Sequence, residues 1–468
     1  MLRAETVTPV RMQRVAIVAP HEALREALVR IAEAGCIEID RIDDGGPGAP
    51  GSATRRLQRV RGEAKGAALS AFPPDLDVLE RAGRTDLLAG EAQLEERLAG
   101  EVRHGGVAAL AGWCPAAEVP AVAERIAGTG GALVPLSAPR GVDPPTLLRS
   151  TGAVHRSFTP LVRTYGTVPY ADLDPTLPAG IVYVLMFGLM FGDAGHGALL
   201  LLAGLLLRLG RPRRLASLHA LWPFVAGAGL AGTLAGVAYG EFFGPTGVLP
   251  VLWLNPLDEP VRLLATAVGL GAVLLVLAYA AGIVNRWREN GAASALYAVS
   301  GIAGSVLFLG LAMTAGAAYL GRADIALTGA AIAFVGLVLT GYGVYAATAG
   351  GVSGAAQTGV QVFDVVVRIG SNVISFARLA AFGLTHAALG SIVWDGTTGL
   401  AGMGAMALVA GIVVFVAGNA LAFALEALVA GVQALRLEFY ELFSRVFEGQ
   451  GRPFRPWHLP VQHTEVTQ

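Results

Sequence analysis

The chain has 468 residues, of which 54% are hydrophobic and 15% are charged, and its formal net charge at pH 7 is −1. This composition excludes a wholly water-soluble protein, because part of the chain must take lipid as its solvent. A net charge near zero also argues against nucleic acid as a partner, since such proteins need a strongly basic surface.

The first part of the chain carries most of its basic residues and predicts an α/β domain over residues 1–175. Of the 34 basic residues, 20 precede position 176, and the remaining 14 form short clusters between apolar stretches. The N-terminus has no apolar run of signal-peptide length, so we expect this domain to stay in the cytosol. Its two cysteines, Cys36 and Cys114, are then expected to be reduced.

Two strand–helix–strand units, interpreted as two lobes, are predicted in this domain. A short helical arm at about 45–105 connects them, and it begins with the Gly/Pro-rich stretch Gly45–Gly51. The predicted strands and helices, in chain order, are Gln13–Ala19, His21–Ala34, Cys36–Arg41, Ala108–Trp113, Val119–Ala127 and Gly131–Pro135.

Apolar segments follow and predict a polytopic α-helical membrane domain over residues 176–450, before a C-terminal tail at 451–468. The last two segments are unusually long, which predicts long, tilted helices. About eight transmembrane helices are expected, at Leu177–Gly192, Ala194–Leu207, Ala220–Phe243, Val261–Val284, Ala293–Leu320, Ile325–Ala347, Val360–Val393 and Ala401–Leu435.

The first two apolar segments are short. Each spans roughly 20–24 Å at about 1.5 Å per residue, less than the ~30 Å hydrocarbon core, which predicts a helical hairpin with its tip at Phe191–Gly197. One long tilted helix, giving seven spans, is the alternative. Eight spans place the arginine-rich loops at 208–214 and 285–288 inside with the N-terminus, as the positive-inside rule favours. We therefore expect eight spans and cytoplasmic termini.

One arginine interrupts the penultimate apolar segment. Between Val373 and Val393 the only ionisable side chains are Arg378 and His386. A guanidinium at bilayer depth costs about 2.5–3.5 kcal/mol on insertion scales, and it cannot lose its proton to avoid that cost. An arginine that reaches the interface or pairs with a structural acid is the ordinary explanation. The surroundings of Arg378 favour a functional one.

The last two segments carry the charges expected of an ion path. Asp364 and Arg378 lie on one face, roughly 20 Å apart along the helix, and Glu426 and Arg436 share a quadrant of the last segment. A proton path needs titratable groups along water and a fixed cation where the path is interrupted. These requirements predict an ion-translocation site of Arg378, Asp364, His386, Glu426 and Arg436.

Four ordered motifs resemble the membrane subunit a (subunit I) of V-type and A-type rotary ATPases. They are Phe187–Gly197 (FGLMFGDAGHG), Gly240–Gly244 (GEFFG), Ser371–Ala387, which begins SNVISFARL, and Leu425–Glu441, which ends LRLEFYE. Stretches at Val10–Val15, Leu110–Pro115 and Pro144–Gly166 resemble the cytosolic domain of that family. The resemblance covers nearly the whole chain and implies a multi-pass protein of a prokaryotic cell membrane.

The resemblance implies that Arg378 is the essential arginine of the family, which faces a carboxylate on a rotating ring of proteolipid subunits. It also implies an outer half-channel acid at Asp364, an inner half-channel histidine at His386, and matching positions at Glu426 and Arg436. Both H⁺ and Na⁺ stay open as the transported ion, since the ring largely sets selectivity.

The implied partners are the proteolipid ring, peripheral-stalk subunits, central-stalk and soluble ATPase subunits, and membrane lipid. No GxxxxGK[ST] loop is present in the sequence, so ATP chemistry is expected on partner subunits. We expect neither a cofactor nor a metal in this chain.

Other polar residues have two interpretations. Asp193 and His196 match a family motif, but they are equally explained as groups that satisfy the backbone at the hairpin tip. Glu241 matches the GEFFG motif and is equally explained as an interfacial residue. Arg368 follows Asp364 by four residues, which favours a structural ion pair on one helix face.

Two other function classes fit a polytopic membrane protein. A proton-coupled secondary transporter would use the same buried charges, but such folds usually contain internal repeats, and none is recognisable here. A scaffold that transports nothing would gain little from charges that are costly in lipid. The motifs favour the stator membrane subunit of a rotary ATPase or ATP synthase.

Overall fold

The computed structural model describes residues 8–40, 51–60, 66–139, 141–149, 152–211, 213–447 and 451–463. The chain divides into two compact units, an α/β unit within 9–149 and 451–468 and a helical unit within 1–8 and 150–450. This division at 149 precedes the boundary predicted at 175, and the predicted tail belongs to the α/β unit. Of the predicted Gly45–Gly51 stretch, only Gly51 lies among the described residues.

One antiparallel sheet organises the α/β unit. Its strands run in the order β2-β5-β1-β6, and β4 pairs with the beginning of β5 on the same side as β2. The strands are β1 (Met12–Pro20), β2 (Glu38–Ile39), β4 (Val102–His104), β5 (Val107–Pro115) and β6 (Ala132–Leu136), while β3 (Leu69–Ser70) lies outside this sheet.

The two predicted strand–helix–strand units are both present, but they do not form separate lobes. Strand β1 of the first unit pairs with β5 on one side and β6 on the other, and both partners belong to the second unit. A unit with two strands is too small for a stable sheet, whereas the combined sheet has five. The prediction of two lobes is corrected to one shared sheet.

Local sequence accounts for the elements around this sheet. Burial alternates along β1, with Val15 and Ile17 inside, as expected for a strand covered on one face. Helix α1 (Leu24–Ala34) buries Leu24, Ala27, Leu28 and Ile31 at helical spacing. Gly35 ends this helix in the left-handed region at φ 62°, where its N–H bonds the Ile31 carbonyl.

The predicted helical arm consists of three short helices, α2 (Ser52–Arg59), α3 (Leu76–Arg81) and α4 (Thr85–Leu98). They share a small core that includes Leu79, Leu87 and Leu88. The Glu95 carboxylate accepts a hydrogen bond from the Ala53 N–H at 2.9 Å and from the Ser52 hydroxyl at 2.6 Å, which satisfies the start of α2. The described part of the arm is therefore folded on itself.

The C-terminal residues complete the α/β unit. Strand β7 (Val461–Gln462) pairs in parallel with β3. Trp457 and Leu459 are buried in the main core, and their N–H groups donate to the carbonyls of Ile37 and Ala32. Helix α5 (Val119–Ala127) covers the same core through Val122 and Ile126.

The helical unit contains the remaining elements. They are α6 (Gly152–Tyr165), α7 (Thr176–Met190), α8 (Ala194–Arg208), α9 (Trp222–Tyr239), α10 (Pro260–Tyr297), α11 (Ile302–Tyr319), α12 (Ala323–Ala346), α13 (Gly351–Ser375), α14 (Ala377–Ala401), α15 (Ala405–Leu437) and α16 (Ser444–Val446), with 3-10 turns before α9 and a π-helical stretch before α16.

Among the described residues, six helical runs are long and apolar enough to cross a membrane by length and composition. Helices α7 and α8 are apolar but have only 15 residues each, so the predicted count of eight is not confirmed. The last two runs are the longest, with 51 residues at Gly351–Ala401 and 42 at Ala405–Val446. Their unusual length confirms that part of the prediction.

Small residues bring α8 and α9 into close backbone contact. A Cβ atom on Gly236 would lie 2.0 Å from the backbone nitrogen of Ala194, and one on Gly229 would lie 2.2 Å from that of Leu201. Only glycine permits this approach, as in other helix pairs built on small residues. The contact fixes the tip between α7 and α8 against the end of α9.

Helices α13 and α14 form one long run with a single turn at Phe376. Phe376 keeps helical torsion angles (φ −72°, ψ −14°) and is fully buried. A Cβ atom on Gly271 of α10 would lie 2.2 Å from its ring, so the ring packs directly on the α10 backbone. This contact fixes the position of the residues that follow, including Arg378.

Candidate ion-translocation site

Asp193 lies at the tip of the α7–α8 hairpin and is completely buried. As the N-cap of α8, its Oδ1 atom accepts a hydrogen bond from the His196 N–H at 2.9 Å. Its Oδ2 atom accepts another from the Gly244 N–H at 2.9 Å. Asp193 therefore satisfies the backbone at the tip, as one interpretation expected, and it also faces a second helix.

That second helix is α14, which contributes His386. The side chain of His386 is 4% exposed, and its Nε2 atom lies 3.8 Å from Oδ2 of Asp193. Its Nδ1 atom contacts the Glu426 carboxylate of α15. One imidazole thus connects the hairpin tip to the last long helix, and the structure brings together three of the residues that the sequence singled out.

His196 and Glu241 complete this group, which we call the hairpin cluster: Asp193, His196, Glu241, His386 and Glu426. The Nδ1 atom of His196 lies 4.0 Å from Oδ1 of Asp193. Glu241 is buried and interacts electrostatically with His386, Asp193 and Glu426. Its backbone carbonyl accepts from the Ala194 N–H at 2.9 Å. Glu241 is thus a buried member of the cluster in this structure.

Aromatic rings surround the hairpin cluster. The His196 ring centroid lies 6.0 Å from that of Phe191, 5.2 Å from that of Phe243 and 5.7 Å from that of Phe423. Apolar walls lower the local dielectric constant and strengthen every charge interaction inside. The imidazoles and carboxylates can therefore exchange protons or bind a cation in an enclosed space.

Arg378 lies eight residues before His386, about 12 Å along the helix. Its Nη1 atom is buried and makes no hydrogen bond among the described residues. Glu441 interacts electrostatically with both Arg378 and Arg436, and its carboxylate is within reach of the Ser375 side chain. Two arginines of the predicted ion-translocation site thus interact with the same buried acid, although Arg436 itself is exposed.

Asp364 lies away from the hairpin cluster. It is exposed on α13 and forms an ion pair with Arg368, one helical turn later. This is the i,i+4 pair expected for Arg368. Asp364 precedes Arg378 by 14 positions, or about 21 Å along the run, so the structure does not bring the two into contact.

Other buried charges were not assigned from the sequence. Glu438 is fully buried, and neither carboxylate oxygen has a hydrogen-bond partner among the described residues. Arg445 is also buried, and its guanidinium lies over the Tyr279 ring at 5.4 Å from the ring centroid. The sequence did contain a signal for these residues, because charged residues recur at short spacing directly after the last apolar segment.

The comparisons with known proteins agree with these motifs. Residues 101–218 match the V-type ATPase 116kDa subunit family. The chain is 28% identical to the A-type ATP synthase subunit I of Aeropyrum pernix, over 68% of this chain and 51% of that protein. It is 27% identical to that of Pyrococcus horikoshii, over 81% and 58%, and 29% identical to that of Halobacterium salinarum, over 69% and 52%. The chain is therefore similar to subunit I of A-type ATP synthases over most of its length.

The similarity to these subunits and the six apolar helical runs of the described residues indicate a multi-pass membrane protein. The chain spans about half the length of the curated relatives that it matches. The regions matched by these relatives extend over most of the chain, so the resemblance inferred from its motifs is confirmed.

Proposed function

We propose that this chain is the stator membrane subunit of a V/A-type rotary ATPase or ATP synthase. In this proposal it provides two half-channels for an ion, taken to be the proton, and presents Arg378 to a rotating ring of proteolipid subunits. Peripheral-stalk, central-stalk and soluble ATPase subunits are the other proposed partners, and both termini are cytoplasmic. ATP is bound and converted on those soluble subunits.

The observation that carries this proposal is the position of Arg378 between two polar groups on one helical run. Asp364 lies about 21 Å and Arg368 about 15 Å before it, and His386 with the hairpin cluster lies about 12 Å after it. An ion path on each side of a permanent cation is the arrangement that two half-channels require. The intervening positions 369–377 carry no ionisable side chain.

The chemistry of Arg378 explains why such a path needs it. A nearby positive charge favours the ionised form of a carboxylate, so a ring site would release its ion when it passes the arginine. Because the guanidinium keeps its proton, it cannot relay one and therefore blocks a direct leak between the half-channels. The Nη1 atom that makes no hydrogen bond among the described residues supports an acceptor from another subunit.

The hairpin cluster supplies the relay on the other side. His386 contacts Glu426 through Nδ1 and lies near Asp193 through Nε2, so a proton accepted at one nitrogen can leave from the other. Arg436 and Glu441 lie near the arginine rather than near this relay. We assign them to the electrostatic setting of Arg378.

The experiment is ion transport by the reconstituted complex. Arg378→Ala and Arg378→Lys are compared with the wild type for ATP-driven proton uptake and proton-driven ATP synthesis, with radiolabelled Na⁺ as a second ion. Loss of transport is expected for Arg378→Ala, and strong impairment for Arg378→Lys, because an ammonium is titratable and differently shaped.

A matched control is Arg262→Ala, which removes an exposed arginine at the start of α10 that pairs with Glu259 at 2.5 Å. Assembly is checked by co-purification of the ring and soluble subunits. An Arg378→Ala complex that assembles and transports at the wild-type rate would show that the proposed role is wrong.

A further inference from the structure

We propose that Asp193, His196 and His386 form a binding site for one Zn²⁺ ion. All three side chains are buried, and one potential ligand atom from each lies within 4.8 Å of the others. Two imidazole nitrogens and one carboxylate oxygen are ligands that Zn²⁺ prefers. This inference rests on the geometry of the hairpin cluster and not on the proposed function.

The distances between the three ligand atoms are longer than in a zinc site that holds its ion. Zn²⁺ binds nitrogen and oxygen at about 2.0–2.2 Å, so ligand atoms in a tetrahedral site are roughly 3.4 Å apart. The Oδ2 atom of Asp193 lies 3.8 Å from Nε2 of His386, and its Oδ1 atom lies 4.0 Å from Nδ1 of His196. Because the three ligand atoms lie within 4.8 Å of one another, side-chain movements of up to about 1.4 Å would bring them to the spacing of a tetrahedral site.

His196 is the observation that points independently to a ligand. Its side chain is 3% exposed, and neither ring nitrogen makes a hydrogen bond of normal distance and angle among the described residues, although the Asn419 side chain lies near enough to interact with the ring. Leaving a buried polar group without such a partner is costly. Its ring borders that of His386 at 5.8 Å between centroids, so both imidazoles lie beside the Asp193 carboxylate.

The groups behind the three ligands are those that hold a metal site in shape. Glu426 contacts Nδ1 of His386, which leaves Nε2 for the ion in the carboxylate–histidine–metal arrangement. The His196 and Gly244 N–H groups fix both oxygens of Asp193. Each oxygen keeps a second lone pair for a metal.

Charge also favours a divalent cation here. The Asp193 carboxylate and the neighbouring Glu426 and Glu241 carboxylates supply negative charge that offsets the two positive charges of the ion. Balance matters because the aromatic walls exclude water, and an unpaired charge in such surroundings is strongly disfavoured. If the proposed function is also correct, Zn²⁺ at this site would hold His386 and stop ion flow through the relay.

The test is metal binding by the full chain, purified in detergent with a peptide tag that contains no histidine. After treatment with a chelator, the protein is titrated with ZnCl₂ in competition with a chromophoric chelator. One tightly bound Zn²⁺ per chain is expected. His196→Gln, His386→Gln and Asp193→Asn should each weaken binding more than tenfold, and Glu426→Gln by about 10- to 100-fold.

The control variants are His219→Gln and His463→Gln, which remove exposed histidines outside the cluster. They should leave Zn²⁺ affinity unchanged. The proposal is overturned if the cluster variants bind as tightly as the controls, or if the wild type binds no Zn²⁺.

Co²⁺ binding to the wild-type chain gives a second readout. It does not depend on whether a variant folds. Intense visible absorption bands from a four- or five-coordinate ion are expected in the wild type. The weak bands of six-coordinate aqueous Co²⁺ would overturn the assignment.

Discussion

The Nε2 atom of His386 lies 3.8 Å from the Oδ2 atom of Asp193. One residue belongs to a helical run of 51 residues, and the other caps a helix of 15. The short hairpin therefore does more than connect longer helices, because its tip places the buried Asp193 carboxylate beside His386 of α14. Both proposals depend on this contact.

Conservative changes in the relay should slow transport and not abolish it. We expect His386→Gln, Glu426→Gln and Asp364→Asn to lower the initial rate of proton uptake by about 100-fold, the lower end of the range for loss of one proton-transfer group. Water can replace one member of an aqueous path, whereas nothing replaces the fixed charge of Arg378. Complete loss of transport in an assembled His386→Gln complex would contradict this difference.

The contact between His386 and Glu426 makes a further prediction. Because the two side chains act as a pair, the rate of the double variant His386→Gln/Glu426→Gln should exceed the value expected from multiplying the two single effects. Asp364→Asn combined with His386→Gln is the matched control, since Asp364 lies elsewhere on the run. Multiplicative effects in both double variants would argue against a shared relay.

Substitution of Gly236 should destabilise the helical unit. Its Cβ atom would lie 2.0 Å from the Ala194 nitrogen, so Gly236→Ala must separate α8 from α9, at a cost of about 1–3 kcal/mol. Gly269→Ala is the control, because nothing lies within 4 Å of its Cβ position and alanine favours the helix by about 0.5–1 kcal/mol. Thermal unfolding followed by circular dichroism should show opposite shifts.

The membrane topology predicts opposite sides for positions 213 and 257. Both are exposed, and only α9 lies between them among helices long enough to span, within the described residues. Arg213→Cys and Leu257→Cys, each in a background without Cys36 and Cys114, are labelled in intact cells with a membrane-impermeant maleimide. Labelling is expected at 257 only. Equal labelling of both before lysis would contradict the eight-span arrangement.

The two native thiols should react slowly at neutral pH. Burial and the nearby Glu118 carboxylate raise the pKa of Cys36 to about 11, and burial raises the pKa of Cys114 to about 12. The thiolate is the reactive form, so at pH 8 Cys36 should be about 100-fold less reactive than a thiol with the ordinary pKa of 9.0.

Alkylation by iodoacetamide, measured residue by residue with mass spectrometry, checks this prediction. The rate at Cys36 should increase as pH rises towards 11, and Cys114 should respond only at higher pH. Both should react at ordinary rates in denaturant. A fast reaction of Cys114 in the folded chain at pH 8 would show that its environment is not the buried one described.

The amino-acid sequence by itself determined the local elements of this protein. Apolar segment length predicted the helices, because backbone groups in lipid must be satisfied within the segment. Periodicity and glycine placement predicted α1 and its end at Gly35, since these depend on nearby residues. The order of the motifs was enough to indicate a resemblance to subunit I of rotary ATPases, which the comparisons then confirmed.

Only the tertiary structure decided which of these elements meet. Two predicted lobes became one sheet because β1 offers hydrogen bonds on both edges, and local pattern does not record the partners of a strand. Local sequence also does not predict the burial of Trp457 in the core of the α/β unit, because Trp457 packs with residues near the start of the chain. At the candidate site, sequence selected Asp193, His386 and Glu426 by type, but their meeting depends on close packing of α8 on α9 and of α14 on α15. Such packing comes from side-chain shape across distant segments, and spacing along the chain carries no measure of it.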